Sequence, residues 1–428
     1  MVNADLIKSP NDVKIENITL ISSTGQLQTI INQTKLVRLY EDIFAPFITG
    51  YILVEDSINL INFMPLRGQE YLDIDIRTPT LPKEFCYKQR FFIYAMSDVE
   101  RSSHQTYTYK LYFTSRETIL DNNTKMSLPH SGRISDIVSN IISTKLKVSD
   151  NDLPKTYNVE ETSNKTKFIS NFWSPVKAIN YCANRALNAN NSPTYLFFEN
   201  KHGINFVSLD TLYQLPVQYT FESNKRTSSI EKDGTVTKNI SKDYNTILEY
   251  YTDDPYNYFD RIKEGYYGSE IIYYDILSQQ YVHKGYGANF GDGARLNKHS
   301  PFNVTTPISP KSKLILGHQY YNNYEGYGSE TSNVKTISRR QALLAQAETT
   351  KLKIVVYGRT DYSCGIKVNV QIPKYGVVQK SDSNTLDYEL SGNYIISALS
   401  HNITKKEHKC VMELIKDSYI AEVDSYVQ

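Results

Sequence analysis

Apolar and polar positions alternate with a period of two through much of the chain between residues 15 and 115. In Tyr71-Leu72-Asp73-Ile74-Asp75-Ile76-Arg77 the residues Leu72, Ile74 and Ile76 fall on one face, and in the next such run Tyr107, Tyr109, Leu111 and Phe113 do the same. That period marks half-buried antiparallel strands. IENITLISSTG, QLQTIINQT, KLVRLYEDI, FITGYILVEDS, EYLDIDIRT, QRFFIYAMSDVE and TYTYKLYFTSR follow one another with no long helical pattern between them. Such a succession predicts a sandwich or a barrel. The stretch from Val54 to Glu70 predicts a strand, a helical turn ended by Pro65, a tight or left-handed turn at Gly68, and a new strand.

From 116 to 212 the period changes. Ile134, Ile137, Val138, Ile141 and Ile142 recur at helical spacing and give one apolar face. Ser174-Pro175 is a helix start, with serine as cap and proline at the first helical position, and Val176, Ile179 and Ala183 form its inward stripe. TYLFFENKHGINFVSL reads as a hairpin that turns at Asn200-Lys201-His202-Gly203. It leads into Phe206-Val207-Ser208-Leu209-Asp210.

Residues 213–335 carry a weaker pattern. The polar run ESNKRTSSIEKDGTVTKNISKD reads as a surface loop. After it come a short helix closed by Gly265, a Tyr-Gly-Ser corner and a strand that ends near Asp275. The stretch 284–335 is rich in Gly, Asn, Ser and Tyr and reads as a variable connection. The last unit, 336–428, opens on a helix from Ser338 to Glu348 and continues in strict alternation, with Gly358, Gly365, Pro373, Gly392 and His401 at its corners. The pattern thus divides the chain into a β-unit at 1–115, a mixed unit at 116–212, a connecting and inserted unit at 213–335, and a β-unit at 336–428. The fold class is β-rich α+β, multidomain.

Composition narrows the function. A chain of 428 residues spans about two to four domains. A formal net charge of +1 argues against a free-standing nucleic-acid binder. No apolar run approaches the roughly 18 residues of a membrane span. The N-terminus lacks the pattern of a secretory signal, so assembly in a cytoplasm is expected. Cys86, Cys182, Cys364 and Cys410 are scattered and predict buried thiols rather than disulfides or a zinc site. The sequons at Asn17, Asn32, Asn164 and Asn303 carry no meaning without a secretory route. Tyrosine stands out, with 35 residues against 16 Phe and a single Trp. It suits strands, and equally interfaces that bury a ring and leave its hydroxyl wet.

Candidate chemistry is sparse. No G-x-S-x-G is present, and Ser397 and Ser400 beside His401 lie in a strand-like run. His401 and His408 flank a hairpin turn, and two imidazoles alone make no closed metal site. Glu117, Asp121, Glu160, Glu161, Asp253, Asp254, Asp260 and Glu264 are acids that a glycosidase could pair, although no segment around them reads as a lysozyme-like domain. The glycines between Gly285 and Arg295 lack the Lys-Ser/Thr ending and the strand–helix frame of a phosphate loop. No catalytic, cofactor or metal residue is expected.

Several separated patches resemble the baseplate hub proteins of contractile-tailed, T-even-like bacteriophages. They are Val54 to Glu70 with Gly68, the helix and hairpin with Gly203 and the Ser208–Asp210 exit, the Gly265 corner, and the barrel-like end with Pro373, Gly392 and His401. The resemblance covers most of the chain and is weakest at 221–245 and 284–335. It implies two barrels like the tail-tube protein and a non-enzymatic subunit that needs no cofactor. It further implies a homotrimeric ring between the sixfold tail tube and the threefold central spike. The implied partners are the tube protein, the spike, other baseplate proteins and DNA passing through the channel without sequence-specific binding. Candidate interface residues are Tyr250, Tyr251, Tyr266, Tyr267, Tyr273 and Tyr274. A tail-associated peptidoglycan hydrolase and the spike base of a related injection machine are the alternatives.

Overall fold

A computed structural model describes residues 11–64, 66–79, 81–102, 106–148, 155–223, 228–230, 236–238, 244–253, 257–275, 279–287, 293–301, 312–316, 330–374 and 386–422. The first unit holds β1 (Lys14–Ile21), β2 (Leu27–Thr29), β3 (Thr34–Asp42), β4 (Thr49–Asp56), α1 (Leu60–Phe63), β5 (Tyr71–Arg77), β6 (Tyr87–Arg101) and β7 (Tyr107–Thr114). The strands run in the order β2-β1-β5-β6-β7-β4-β3. They roll around one core in which Leu72, Ile74, Ile76, Tyr109, Leu111 and Phe113 are buried, the faces that the alternation predicts. Gly68 has φ +80°, the left-handed turn expected of it.

The mixed unit holds α2 (Arg116–Asn123), β8 (Pro129–Arg133), α3 (Ile134–Thr144), β9 (Tyr157–Val159), β10 (Lys165–Ile169), α4 (Pro175–Ala183), β11 (Tyr195–Asn200), β12 (Gly203–Ser208) and α5 (Leu209–Gln214). Ser174 caps α4 by accepting from the Lys177 amide at 3.4 Å, and Pro175 opens the helix. The hairpin β11–β12 is buried on both faces. Tyr195, Phe197, Ile204 and Phe206 enter the core of the mixed unit, while Leu196, Phe198 and Val207 face a second core shared with Ile43, Cys364, Ile395 and Ile415. This hairpin is therefore the wedge that ties the mixed unit to the rest.

The remaining elements are β13 (Tyr219–Ser223), β14 (Ser228–Ile230), β15 (Val236–Lys238), β16 (Thr246–Asp253), α6 (Tyr258–Glu264), β17 (Gly268–Asp275), β18 (Gln280–Gly287), β19 (Ser312–Leu316), α7 (Glu330–Ala347), β20 (Thr350–Tyr357), β21 (Lys367–Gln371), β22 (Gly392–Thr404) and β23 (His408–Lys416). Strands β22-β21-β13-β16-β20-β23 lie in that order, and β22 pairs with β23 to close a barrel of six. Two of its strands, β13 and β16, come from the stretch that the sequence pattern assigns to the connecting unit, so the second barrel reaches outside 336–428. The pattern misses them because β13 pairs in parallel with β21 about 150 residues downstream, and a parallel pair has no hairpin turn to announce it. Helix α7 begins at Glu330 instead of Ser338. Much of 221–245 and 284–335 lies outside the described residues.

A single strand joins the two β-units. Gly392 to Ile395 of β22 pair with β21, and Ala398 to Thr404 then pair with Leu36–Asp42 of β3. The change of partner falls at the bulge around Ser397, where the β22–β23 register also shifts. Thirteen strands thus form one continuous sheet, closed into a barrel over its second half.

Candidate functional site at the junction of the barrels

The junction is polar at its centre. Lys155 Nζ donates to Glu117 Oε2 at 2.7 Å and to Glu199 Oε1 at 2.6 Å, all three side chains being buried or nearly so. Glu199 also accepts from the Ile48 amide and from Gln89 Nε2, each at 3.1 Å. One hairpin residue therefore holds β6, the β3–β4 connection and the mixed unit together. Burial pulls the Lys155 pKa down, but the two carboxylates more than reverse it, so the ammonium stays charged. Lys201 at the hairpin turn donates to the Phe85 carbonyl at 2.8 Å and the Thr360 carbonyl at 2.6 Å, bridging the two β-units. Thr78 and Thr360 bond reciprocally, and Glu41 Oε2 accepts from the Cys364 amide at 3.0 Å.

The residues singled out in the sequence are mostly architectural. Gly203 has φ +129°, and a Cβ there would sit 2.1 Å from the Thr156 carbonyl oxygen, so glycine is what lets β9 approach β12. Ser208 caps α5 by accepting from the Thr211 amide at 3.3 Å, and its own amide donates to Glu160 at 2.7 Å. Asp210 is buried and accepts from Ser192 Oγ at 3.2 Å and Asn188 Nδ2 at 3.4 Å. Gly265 is the left-handed C-cap of α6. Gly392 has φ +124° at the start of β22, and Pro373 makes an isolated bridge to Leu386.

The acids are placed for structure too. Glu117 is held by Lys155, and Asp121 accepts from the Val176 amide at the start of α4. Glu160 serves Ser208, and Asp260 sits in the first turn of α6. Asp254 and the segment 288–292 of the glycine-rich loop lie outside the described residues. Arg295, at the end of that loop, pairs with buried Asp417 at 3.3 Å.

His401 and His408 do meet, and Cys410 joins them. His401 Nδ1 lies 3.0 Å from His408 Nε2 and 3.2 Å from Cys410 Sγ, and the thiol is 3.5 Å from His408 Nε2. All three are fully enclosed. The two histidines expected to flank the turn are thus joined by a thiol. The missed signal is the His408-x-Cys410 spacing, which puts both side chains on one face of β23, opposite His401 of β22.

The candidate interface tyrosines divide. Tyr250 and Tyr251 on β16 are 43% and 55% exposed. Tyr267 is half-buried. Tyr266 is enclosed, its hydroxyl 2.8 Å from Thr349 Oγ1, and is removed from the interface set because its ring is already inside the fold. The side chains of Tyr273 and Tyr274 lie outside the described set. A second tyrosine surface appears that the sequence pattern does not reveal. Tyr40, Tyr51, Tyr112 and Tyr94 form a row across β3, β4, β7 and β6, with ring centroids 6.5, 5.8 and 6.3 Å apart. Each is on the outward parity of its strand, but only the strand order puts them in line.

Lys416 gives a direct pH test of the second barrel. Burial pushes its pKa from 10.5 down to about 7, with its ammonium against the Ser391 carbonyl and the Tyr394 ring. The unfolded chain binds the extra proton between those two values, so stability is expected to rise as pH increases from about 7 toward 10.5. Denaturant titrations across that window, compared with Lys416→Met, should show the slope flatten in the variant. Parallel profiles for the two proteins would contradict this assignment.

No protein-family model matches the sequence. The chain is 21% identical over 411 residues to the probable baseplate hub protein gp334 of Vibrio phage KVP40, a match that covers 92% of each. The chain resembles a phage baseplate hub protein along nearly its whole length. Its fold is similar to that of a tail protein from Neisseria meningitidis MC58, with a TM-score of 0.55 and 10% identity over 94% of this chain and 96% of that one. It is equally similar to the 43 kDa tail protein of prophage MuSo2 from Shewanella oneidensis, with a TM-score of 0.55 and 8% identity over 94% and 99%. The curated relative supports a structural role in a phage tail or baseplate; the two solved structures, both tail proteins, show likeness of fold.

Proposed function

We propose that this chain is the hub subunit at the end of a phage tail tube. Three copies form a ring in which each contributes two barrel-like units, so that six surround one channel. The ring joins the sixfold tube to the threefold spike, and DNA passes through it without sequence-specific binding. Assembly takes place in the host cytoplasm. The observation that supports this reading is the strand pairing of β3 with β22, which sets two β-units side by side in one chain. Two barrel-like units in each of three copies would convert threefold symmetry into near-sixfold symmetry.

Ring closure needs a heterologous contact, the first β-unit of one copy against the second barrel of the next. The tyrosine row on β3, β4, β7 and β6 offers one side of it. Strand β16 offers the other. Among the described residues, β16 pairs with β13 only through Thr246 and Ile247, and it carries exposed Leu248, Tyr250 and Tyr251. Assemblies of this kind bury roughly 2,000–5,000 Å² per contact, and tyrosine is among the residues that dominate such contacts. Tyr51→Glu and Tyr250→Glu are each expected to weaken ring formation by about tenfold or more, while unfolding shifts by less than about 1 kcal/mol. Sedimentation velocity and thermal unfolding on the same samples check this. Assembly that proceeds unchanged in both variants would overturn the interface.

A further inference from the structure

We propose that His401, His408 and Cys410 form a structural zinc site inside the closed barrel, beside its junction with the first β-unit. His408 and Cys410 are two residues apart on β23 and point to the same face, and His401 on β22 is in register with Cys410. Three potential ligand atoms consequently converge from two strands without any loop. Zinc held tetrahedrally at its usual bond lengths sets nitrogens about 3.3 Å apart and sulfur about 3.6 Å from nitrogen. The observed separations of 3.0, 3.2 and 3.5 Å are those spacings slightly contracted.

Each neutral imidazole carries one N–H and one bare nitrogen. One ion at the centre takes all three inward lone pairs at once, with each imidazole proton on its outer nitrogen, His401 Nε2 and His408 Nδ1. Zinc entry forms Zn–N, Zn–N and Zn–S bonds and breaks the Cys410 S–H bond, whose proton leaves to solvent. Both imidazoles stay neutral, and one water enclosed together with the ion during folding is the fourth ligand. The site then carries one net positive charge, and Glu41 and Asp361 are the carboxylates whose fields reach Cys410.

The surroundings hold the ligands in place. The Tyr87 ring meets His401 edge-on with centroids 5.8 Å apart. The Gly358 backbone lies so close to the His408 ring that a Cβ would come within 2.2 Å of Cγ. The cage also excludes solvent, so the ion has to enter while the chain folds.

The test refolds the full chain with zinc, removes loose metal, and measures bound zinc by elemental analysis. Cobalt(II) refolding then reports the ligands by absorption. The expected result is about one zinc per chain and a thiolate-to-cobalt charge-transfer band. Both should be lost in Cys410→Ser and kept in Cys182→Ser, a thiol in the core of the mixed unit. If Cys410→Ser does not fold, His408→Gln is read by the same two measurements. Less than about a tenth of an ion per chain in the wild type, cobalt spectra without a thiolate band, or a signal that survives loss of a ligand would each overturn the site.

Discussion

Gly203→Ala is expected to unfold the mixed unit or destabilise it by about 3–5 kcal/mol, because two penalties fall on one methyl group. The backbone there has φ +129°, which an L-residue adopts only with strain. The added Cβ would also meet the Thr156 carbonyl oxygen at 2.1 Å and that residue's Oγ1 at 2.8 Å. The carbonyl cannot retreat cheaply, since it accepts the Ile204 amide at 3.0 Å and starts the parallel pairing of β9 with β12. Because the same hairpin faces both the mixed core and the shared core, the damage should spread to the junction. Chemical denaturation followed by Trp173 fluorescence, with a matched Gly25→Ala control where a Cβ meets nothing within 4 Å, gives the comparison. Equal destabilisation at the two positions would show that strain alone, and not the packing of β9, governs Gly203.

The second large effect is expected at Lys155. Removing its ammonium as Lys155→Ala leaves Glu117 and Glu199 facing each other in a buried place with no cation between them, a loss of about 3–5 kcal/mol. Part of that loss should return when Glu117→Gln is added, because one of the two uncompensated charges disappears. Glu199 should be the worse partner to remove, since its carboxylate also holds the Ile48 amide and Gln89. A double-mutant cycle on unfolding free energy measures this directly. Additive effects of Lys155→Ala and Glu117→Gln would mean that the pair is not coupled and that the junction is held by apolar packing alone.

How much of this was legible in the sequence follows from which contacts are local. The first β-unit could be read strand by strand because one face of each strand is buried and the other is wet, which leaves the period of two intact in Tyr71–Arg77 and Tyr107–Thr114. Helix α4 and the hairpin β11–β12 were legible from a cap, a proline and a glycine. The second barrel was only half legible. Its strands after 350 alternate cleanly, but β13 and β16 join it by pairings that span more than 100 residues and leave no turn signature. Tyrosine content suits strands and interfaces alike and places neither. Tyr266 proved to be interior, and the row from Tyr40 to Tyr94 depends on a strand order that no single strand carries. The His–His–Cys cluster stood in the text as H-x-C on one strand and a histidine on its hairpin partner. The cysteine is what sets the cluster apart from a pair of strand-end histidines.

The central claim is geometric, and electron cryo-microscopy of the assembled tail end that carries this chain tests it most directly. The account predicts three copies around one axis, each placing its two β-units next to each other so that six line a single channel, with the tyrosine row of one copy against β16 of the next. A different copy number, or one β-unit of each pair turned away from the channel, would contradict it.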